Sequence, residues 1–220
     1  MNSFLDRREA GRVLARRLGQ YAIRPDVIVF ALPRGGTPVA FEVARALCVP
    51  LDVCLVRKVF APGRDDIPIG TIASGGFEQL DDATIDARGI DRRVVDREMA
   101  HAREELAYQE RVYRGRQAFA DVRGCTVILV YDGIVTGGTM IAAVSALRAR
   151  GAAEVVVAAP VATPNAVESL RGVVDRCVCV MTPEPFHRIG IWYDDFAPVS
   201  DASVLILLEV AAKALKPVAA

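Results

Sequence analysis

The chain has 220 residues, just over half of them apolar, and carries 27 basic against 27 acidic side chains. That is enough to bury a large α/β core, and the balanced charge removes any bulk electrostatic reason to expect a nucleic-acid partner. Residues 1–18 lack the apolar core of a secretion signal, and the most apolar stretch, Ala202–Leu215, is interrupted by Glu209 and Lys213 and falls short of the ~20 residues a membrane span needs, so no membrane partner is expected either.

Leu5–Leu18 reads as an amphipathic helix, with Leu5, Val13, Leu14 and Leu18 set among arginines, and Arg24-Pro25-Asp26 ends it. Val27–Leu32 is a continuous apolar run of the kind that forms a parallel strand buried on both faces. Pro33-Arg34-Gly35-Gly36 makes a sharp turn into a helix over Thr37–Leu47, with Pro38 in its tolerant first turn, and Leu51–Val56 is a second strand. This β–turn–α–β succession is the unit of a doubly wound sheet. Val59–Asp81, rich in glycine and proline between β-like pieces such as Ile67–Ala73, reads as a hairpin or mobile flap. Asp91–Arg114 is a charged helix with Glu/Arg pairs at helical spacing.

Regular alternation then resumes. Thr126–Val130, Glu154–Val161 and Cys177–Met181 are strands, Gly137–Ala149 and Pro164–Leu170 are helices, and Gly151 is a natural C-cap. Pro183–Phe196 is aromatic-rich and irregular, and Ala202–Leu215 is a buried C-terminal helix. With no internal repeat or linker, residues 1–220 read as a single domain with an insertion over about 59–118 and a C-terminal cap over about 182–198. The five cysteines, an odd count lying mostly in apolar runs, fit reduced thiols in a cytoplasmic protein. Cys177 and Cys179 share one face of a strand, but no second pair stands at zinc-ligand spacing.

Chemistry concentrates in Val127–Met140, VILVYDGIVTGGTM. Four apolar residues lead to Asp132 at the carboxyl edge of a strand, where open α/β sheets bind ligands. Thr136-Gly137-Gly138-Thr139 follows and a helix starts at once. The glycines let backbone N–H groups turn inward, the helix N-terminus adds unpaired donors and partial positive charge, and the threonines add hydroxyls. This is a phosphate cradle, with Asp132 one loop away to accept hydrogen bonds from a sugar. There is no Gly-Lys-Ser/Thr of a Walker A loop, and the glycine spacing is not that of a dinucleotide fold. Arg34-Gly35-Gly36 offers free amides and a bidentate guanidinium to a second anion, with Lys58 as a further cation.

These segments resemble the type I phosphoribosyltransferases. The signature there is four apolar residues, two acids and a Ser/Thr-Gly-x-Thr loop. The resemblance implies that Asp132, Gly133, Thr136, Gly137, Gly138 and Thr139 hold the ribose and 5′-phosphate of phosphoribosyl pyrophosphate, with Asp132, which matches the second acid, as the catalytic residue. Arg34, Gly35, Gly36 and Lys58 would hold the pyrophosphate. Tyr131 stands where the first acid is expected. The stretch 182–198 resembles the family's hood, which implies that Phe186, Trp192 and Tyr193 stack on a base; His187 reads as a surface residue. The fold implied is α/β, a doubly wound, mostly parallel five-stranded core sheet with helices on both faces, an inserted β flap and a small C-terminal hood. The cofactor implied is Mg²⁺ arriving with phosphoribosyl pyrophosphate, with Asp132 as its candidate protein ligand. The partners implied are small molecules, with a homodimer among the assemblies such folds adopt.

The implied reaction displaces pyrophosphate from the ribose by a nitrogenous base or amine, with Arg64–Gly76 as the flap that closes over it. Val135 and Val161 stand where 6-oxopurine members carry a carboxylate and a lysine that read the base. That leaves two readings: a transferase acting on a different acceptor, and a sensing module that binds the phosphoribosyl group without turning it over.

Overall fold

A computed structural model describes residues 3–115 and 117–214 of the chain. Five parallel strands form the core sheet: β1 (Val27–Ala31), β2 (Leu51–Val53), β6 (Thr126–Val130), β7 (Glu154–Val161) and β8 (Arg176–Met181), in the order β2-β1-β6-β7-β8. Their apolar runs split by parity. Val27, Val29 and Ala31, with Ile128 and Val130, face one cluster that includes α1 (Arg7–Arg17) and α2 (Gly36–Leu47). Ile28 and Phe30, with Val127 and Leu129, face a second cluster that includes α5 (Gly138–Ala149) and α6 (Pro164–Leu170). Burial on both faces is why these strands are continuous apolar runs rather than alternating ones.

The chain leaves β1 toward β2 on one side and leaves β6 toward β7 on the other. The adjacent pair β1 and β6 is therefore the switch point of the sheet. Ala31 pairs with Val130, so the loops that follow begin side by side at the carboxyl edge. In open α/β sheets that crevice is the ligand site.

The expected strand Leu51–Val56 is divided. β2 stops at Val53, and Ser74 captures Leu55 from both sides: its Oγ accepts from Leu55 N at 2.9 Å and its own N–H donates to Leu55 O at 2.8 Å. Val56 thereby starts a separate antiparallel sheet of β3 (Val56–Ala61), β4 (Arg64–Ala73) and β5 (Phe77–Leu80). The expected hairpin or flap thus forms as this sheet, and its apolar side is built into the core. Ile67, Ile69 and Ile72 are buried in one cluster with Val95, Met99, Ala102 and Leu106 of α4 (Arg92–Arg114). Arg150 also ties Gly75 O to the end of α5 at 2.9 Å. The β3–β4 tip, residues 62–66, and residues 78–81 are uniformly exposed.

A short helix unforeseen in the sequence, α3 (Asp82–Ala87), follows, capped by the Asp81 carboxylate on Thr84 N at 2.9 Å. Arg114, at the end of α4, has a side chain only 6% exposed and donates to Asp52 Oδ1 at 3.0 Å, to Glu110 Oε1 at 3.1 Å and to Val53 O, which fixes α4 to the edge of the core sheet. The C-terminal helix α7 (Asp201–Ala214) packs on α2 and α4; Leu215, its expected last residue, lies outside the described residues. No helix among the described residues is long and apolar enough to cross a membrane.

Candidate active site

The loop after β6 is fixed from behind. Ile134 N donates to Val161 O at 3.0 Å, Thr163 N donates to Ile134 O at 2.9 Å, and Thr163 Oγ1 donates to Val135 O at 2.7 Å. With its carbonyls tied down, the loop turns through Gly137, whose φ of 76° suits glycine, and α5 begins at Gly138. Among the described residues, none accepts a hydrogen bond from the backbone N–H groups of Thr136 to Met140. Five consecutive donors thus converge at a helix N-terminus. Lys58 on β3 reaches this end: its Nζ stands 4.0 Å from the place a Cβ on Gly138 would take. Lys58, an expected pyrophosphate cation, therefore lies near the N-terminus of α5.

The loop after β1 lies against the same edge, and its glycines are there for clearance. A Cβ on Gly35 would stand 2.1 Å from Asp132 Oδ2, and one on Gly36 would stand 2.9 Å from Val130 O. Neither residue has a positive φ, so close approach and not conformation excludes a side chain. The Pro33–Arg34 peptide is cis. Arg34 is exposed, 4.0 Å from Asp201. Between the two loops lies a cleft of about 330 Å³, lined among others by Arg34, Arg57, Tyr113, Tyr131, Thr139 and Asp201. Arg57 pairs with Glu105 of α4, and Tyr113 donates to Asp201.

Asp132 departs from expectation. It is 4% exposed and does not line the cleft. Its Oδ2 accepts from Arg7 Nε at 2.8 Å. Arg7, the first residue of α1 and itself 9% exposed, also donates to Ala197 O at 2.8 Å and lies 3.7 Å over the Phe196 ring. Burial pushes the Asp132 carboxyl above its ordinary range even against the opposing pull of Arg7. The candidate sugar ligand is thus a buried pair that joins α1, the signature loop and the hood. Tyr131, its neighbour, lines the cleft.

The hood corrects a second expectation. Tyr193 is 5% exposed, its ring held between Phe4 and Phe196 at centroid distances of 5.6 and 5.0 Å, and its hydroxyl donates to Asp132 O. Its ring is occupied by the core and is not free to stack on a base. Trp192 and Phe186 are half-buried against the same cluster, 6.2 Å apart. A Cβ on Gly133 would meet Ile189 of the hood at 2.6 Å, so Gly133 serves the seating of the hood. Arg7, Arg57, Tyr113 and Asp201 were not among the expected site residues, and each gains its place from contacts between distant elements.

The family model for the phosphoribosyl transferase domain matches residues 3–189. Over 212 residues the chain is 39% identical to a Mycobacterium tuberculosis protein whose name places it among the phosphoribosyl transferases. That match covers 95% of this chain and 47% of that protein, so the chain spans about half the length of the curated relatives it matches. A shorter match, 45% identical over 74 residues, joins 32% of the chain to 26% of a ribose-phosphate pyrophosphokinase of Pyrococcus furiosus. The crystal structure of TT1426 from Thermus thermophilus superposes with a TM-score of 0.81 at 40% identity, over 94% of this chain and 97% of that one. In sequence and in fold, the chain belongs to the phosphoribosyl transferase domain family.

Proposed function

We propose that the cleft binds phosphoribosyl pyrophosphate and that the protein transfers its phosphoribosyl group to a nitrogenous base or amine with release of pyrophosphate. The run of unbonded amides from Thr136 to Met140, with Lys58 Nζ beside it, carries this reading: it is a site for a dianionic phosphate at a fixed place on the sheet edge. Arg34 and Arg57 line the neighbouring cleft and suit a diphosphate. A sugar held at both ends would present C1 to the acceptor, and positioning of that kind lowers the barrier of a displacement through an oxocarbenium-like state.

The side chains at the cleft do not fit a protein-held Mg²⁺. Asp132, its candidate ligand, is committed to Arg7, and Asp201, the one carboxylate among the described residues that line the cleft, is bonded by Tyr113. Mg²⁺ that arrives with the substrate would find its oxygen ligands on the substrate.

The test is pyrophosphate release from phosphoribosyl pyrophosphate with Mg²⁺ across a panel of bases and amines, beside calorimetric binding. Release that depends on one acceptor class supports the transferase. Tyr131 in place of an acid favours the second reading, a sensing module, and clear binding without release for every acceptor would establish it. No binding at all would refute both.

A further inference from the structure

Two side chains follow β6, and the fold sends them different ways. Asp132 goes inward to Arg7 and against Gly35, where the close approach of the two loops leaves no slack. To turn it toward the cleft would strand a buried guanidinium that also serves Ala197 and Phe196. Tyr131 lines the cleft with Thr139 and Arg34. Among the described residues none hydrogen-bonds its hydroxyl, and that hydroxyl is not among the buried unpartnered polar atoms, so it meets solvent.

On the reading of this cleft as a sugar-phosphate site, we infer that it recognises the pentose through the Tyr131 hydroxyl rather than through a carboxylate, and therefore accepts phosphorylated pentoses that lack a ring hydroxyl, 2-deoxyribose 5-phosphate among them. A carboxylate facing two neighbouring hydroxyls makes charge-assisted bonds to both, and a ligand lacking one leaves a charged acceptor unpaired. A site built that way rejects the deoxy sugar strongly. A phenol is neutral, carries one rotatable donor and can bond either hydroxyl. Burial, and then the neighbouring Asp132, hold the Tyr131 phenol above its ordinary range, so it keeps its proton. Most of the affinity then comes from the phosphate end, which ribose and deoxyribose share.

Equilibrium binding of ribose 5-phosphate, 2-deoxyribose 5-phosphate and inorganic phosphate to the full chain decides the matter. The two sugar phosphates should bind within about threefold of each other and both more tightly than inorganic phosphate, the gap expected for one neutral hydrogen bond. Tyr131→Phe should weaken ribose 5-phosphate about two- to tenfold, and Tyr131→Asp should create a preference for ribose of about tenfold or more. A wild-type preference for ribose of about tenfold or more overturns the inference, as does an unchanged affinity in Tyr131→Phe or failure of both sugars to exceed inorganic phosphate. If Tyr131→Asp does not fold, the wild-type comparison still decides. Phosphoribosyl pyrophosphate is measured alongside: its binding with strong ribose preference refutes the Tyr131 assignment alone, and its failure to bind refutes the sugar-phosphate reading beneath it.

Discussion

Arg7→Met isolates the buried pair of Arg7 and Asp132. Methionine keeps most of the apolar stem and removes the charge. The change deletes the 2.8 Å bond to Asp132, the 2.8 Å bond to Ala197 O and the guanidinium over Phe196. Asp132 is 4% exposed, so water cannot replace the lost partner. Breaking a buried pair from one side costs about 3–5 kcal/mol, because the surviving charge is stranded. The cost depends on pH. Asp132 already titrates above its ordinary range because of burial, and loss of Arg7, which pulls it down, raises it further. A carboxyl raised in the folded state favours the protonated form, so folding is least penalised below its unfolded value of about 3.9 and stability falls as pH rises through the folded value. Urea denaturation should therefore show a small penalty near pH 4 that grows toward neutrality and then levels off. Asp132→Asn added to Arg7→Met should recover about 2 kcal/mol or more at pH 8, since the stranded charge is gone. A wild-type midpoint for Arg7→Met at pH 8, or a penalty that does not change with pH, would refute the assignment of Arg7 and Asp132 as a buried pair.

Gly35→Ala should destabilise by about 1–3 kcal/mol in the same assay, because its Cβ would stand 2.1 Å from Asp132 Oδ2 and one of the two must move; an unaffected midpoint would show that the loop yields freely. Lys58→Ala should weaken inorganic phosphate by about three- to tenfold at low salt, with a smaller difference at high salt, because its Nζ stands beside Gly138 at the open end of the cradle. Alkylation followed by mass spectrometry at pH 8 should label exposed Cys48 first and leave Cys54 unmodified until urea unfolds the chain, because Cys54 is fully buried and its thiol is pushed up to about 12.

The parts of the fold legible in sequence were those set by local pattern. β6 and β7 run where their apolar runs do, and the glycine at the start of α5 sits where a strand-to-helix turn demands it. The division of Leu51–Val56 was not legible, because Ser74, which causes it, comes from the turn after β4, 19 residues beyond Leu55. α3 was missed because six residues with one buried side chain, Ile85, show no period. At the site, position was legible and orientation was not. Asp132 does lie at the strand edge, but its direction is decided by Arg7, 125 residues earlier in the chain. The aromatic tail was expected to stack on a base, but Tyr193 is buried within a core cluster, since an aromatic bound for a base and one bound for a core carry the same signal in sequence.

The acceptor end of the site follows from what the fold has removed. Val161 closes β7 with no exposure, packed in one cluster with Phe4 and Tyr193, and its carbonyl is taken by Ile134 N. A lysine at that place would have to displace the hood's own core. Val135, at the loop before the phosphate cradle, is 44% exposed and offers a base no hydrogen bond from its side chain. Both groups that would read a 6-oxopurine are therefore apolar, one sealed and one facing solvent. The candidate anion-binding groups are present by contrast: five free amides at the start of α5 with Lys58 beside Gly138, and Arg34 and Thr139 lining the cleft. On the proposed function, a site with these phosphate contacts, and with Tyr131 and two valines where charged sugar and base contacts are expected, draws its affinity from the phosphates. Selectivity for an acceptor then has to come from shape and stacking at the half-buried Phe186 and Trp192, not from charge.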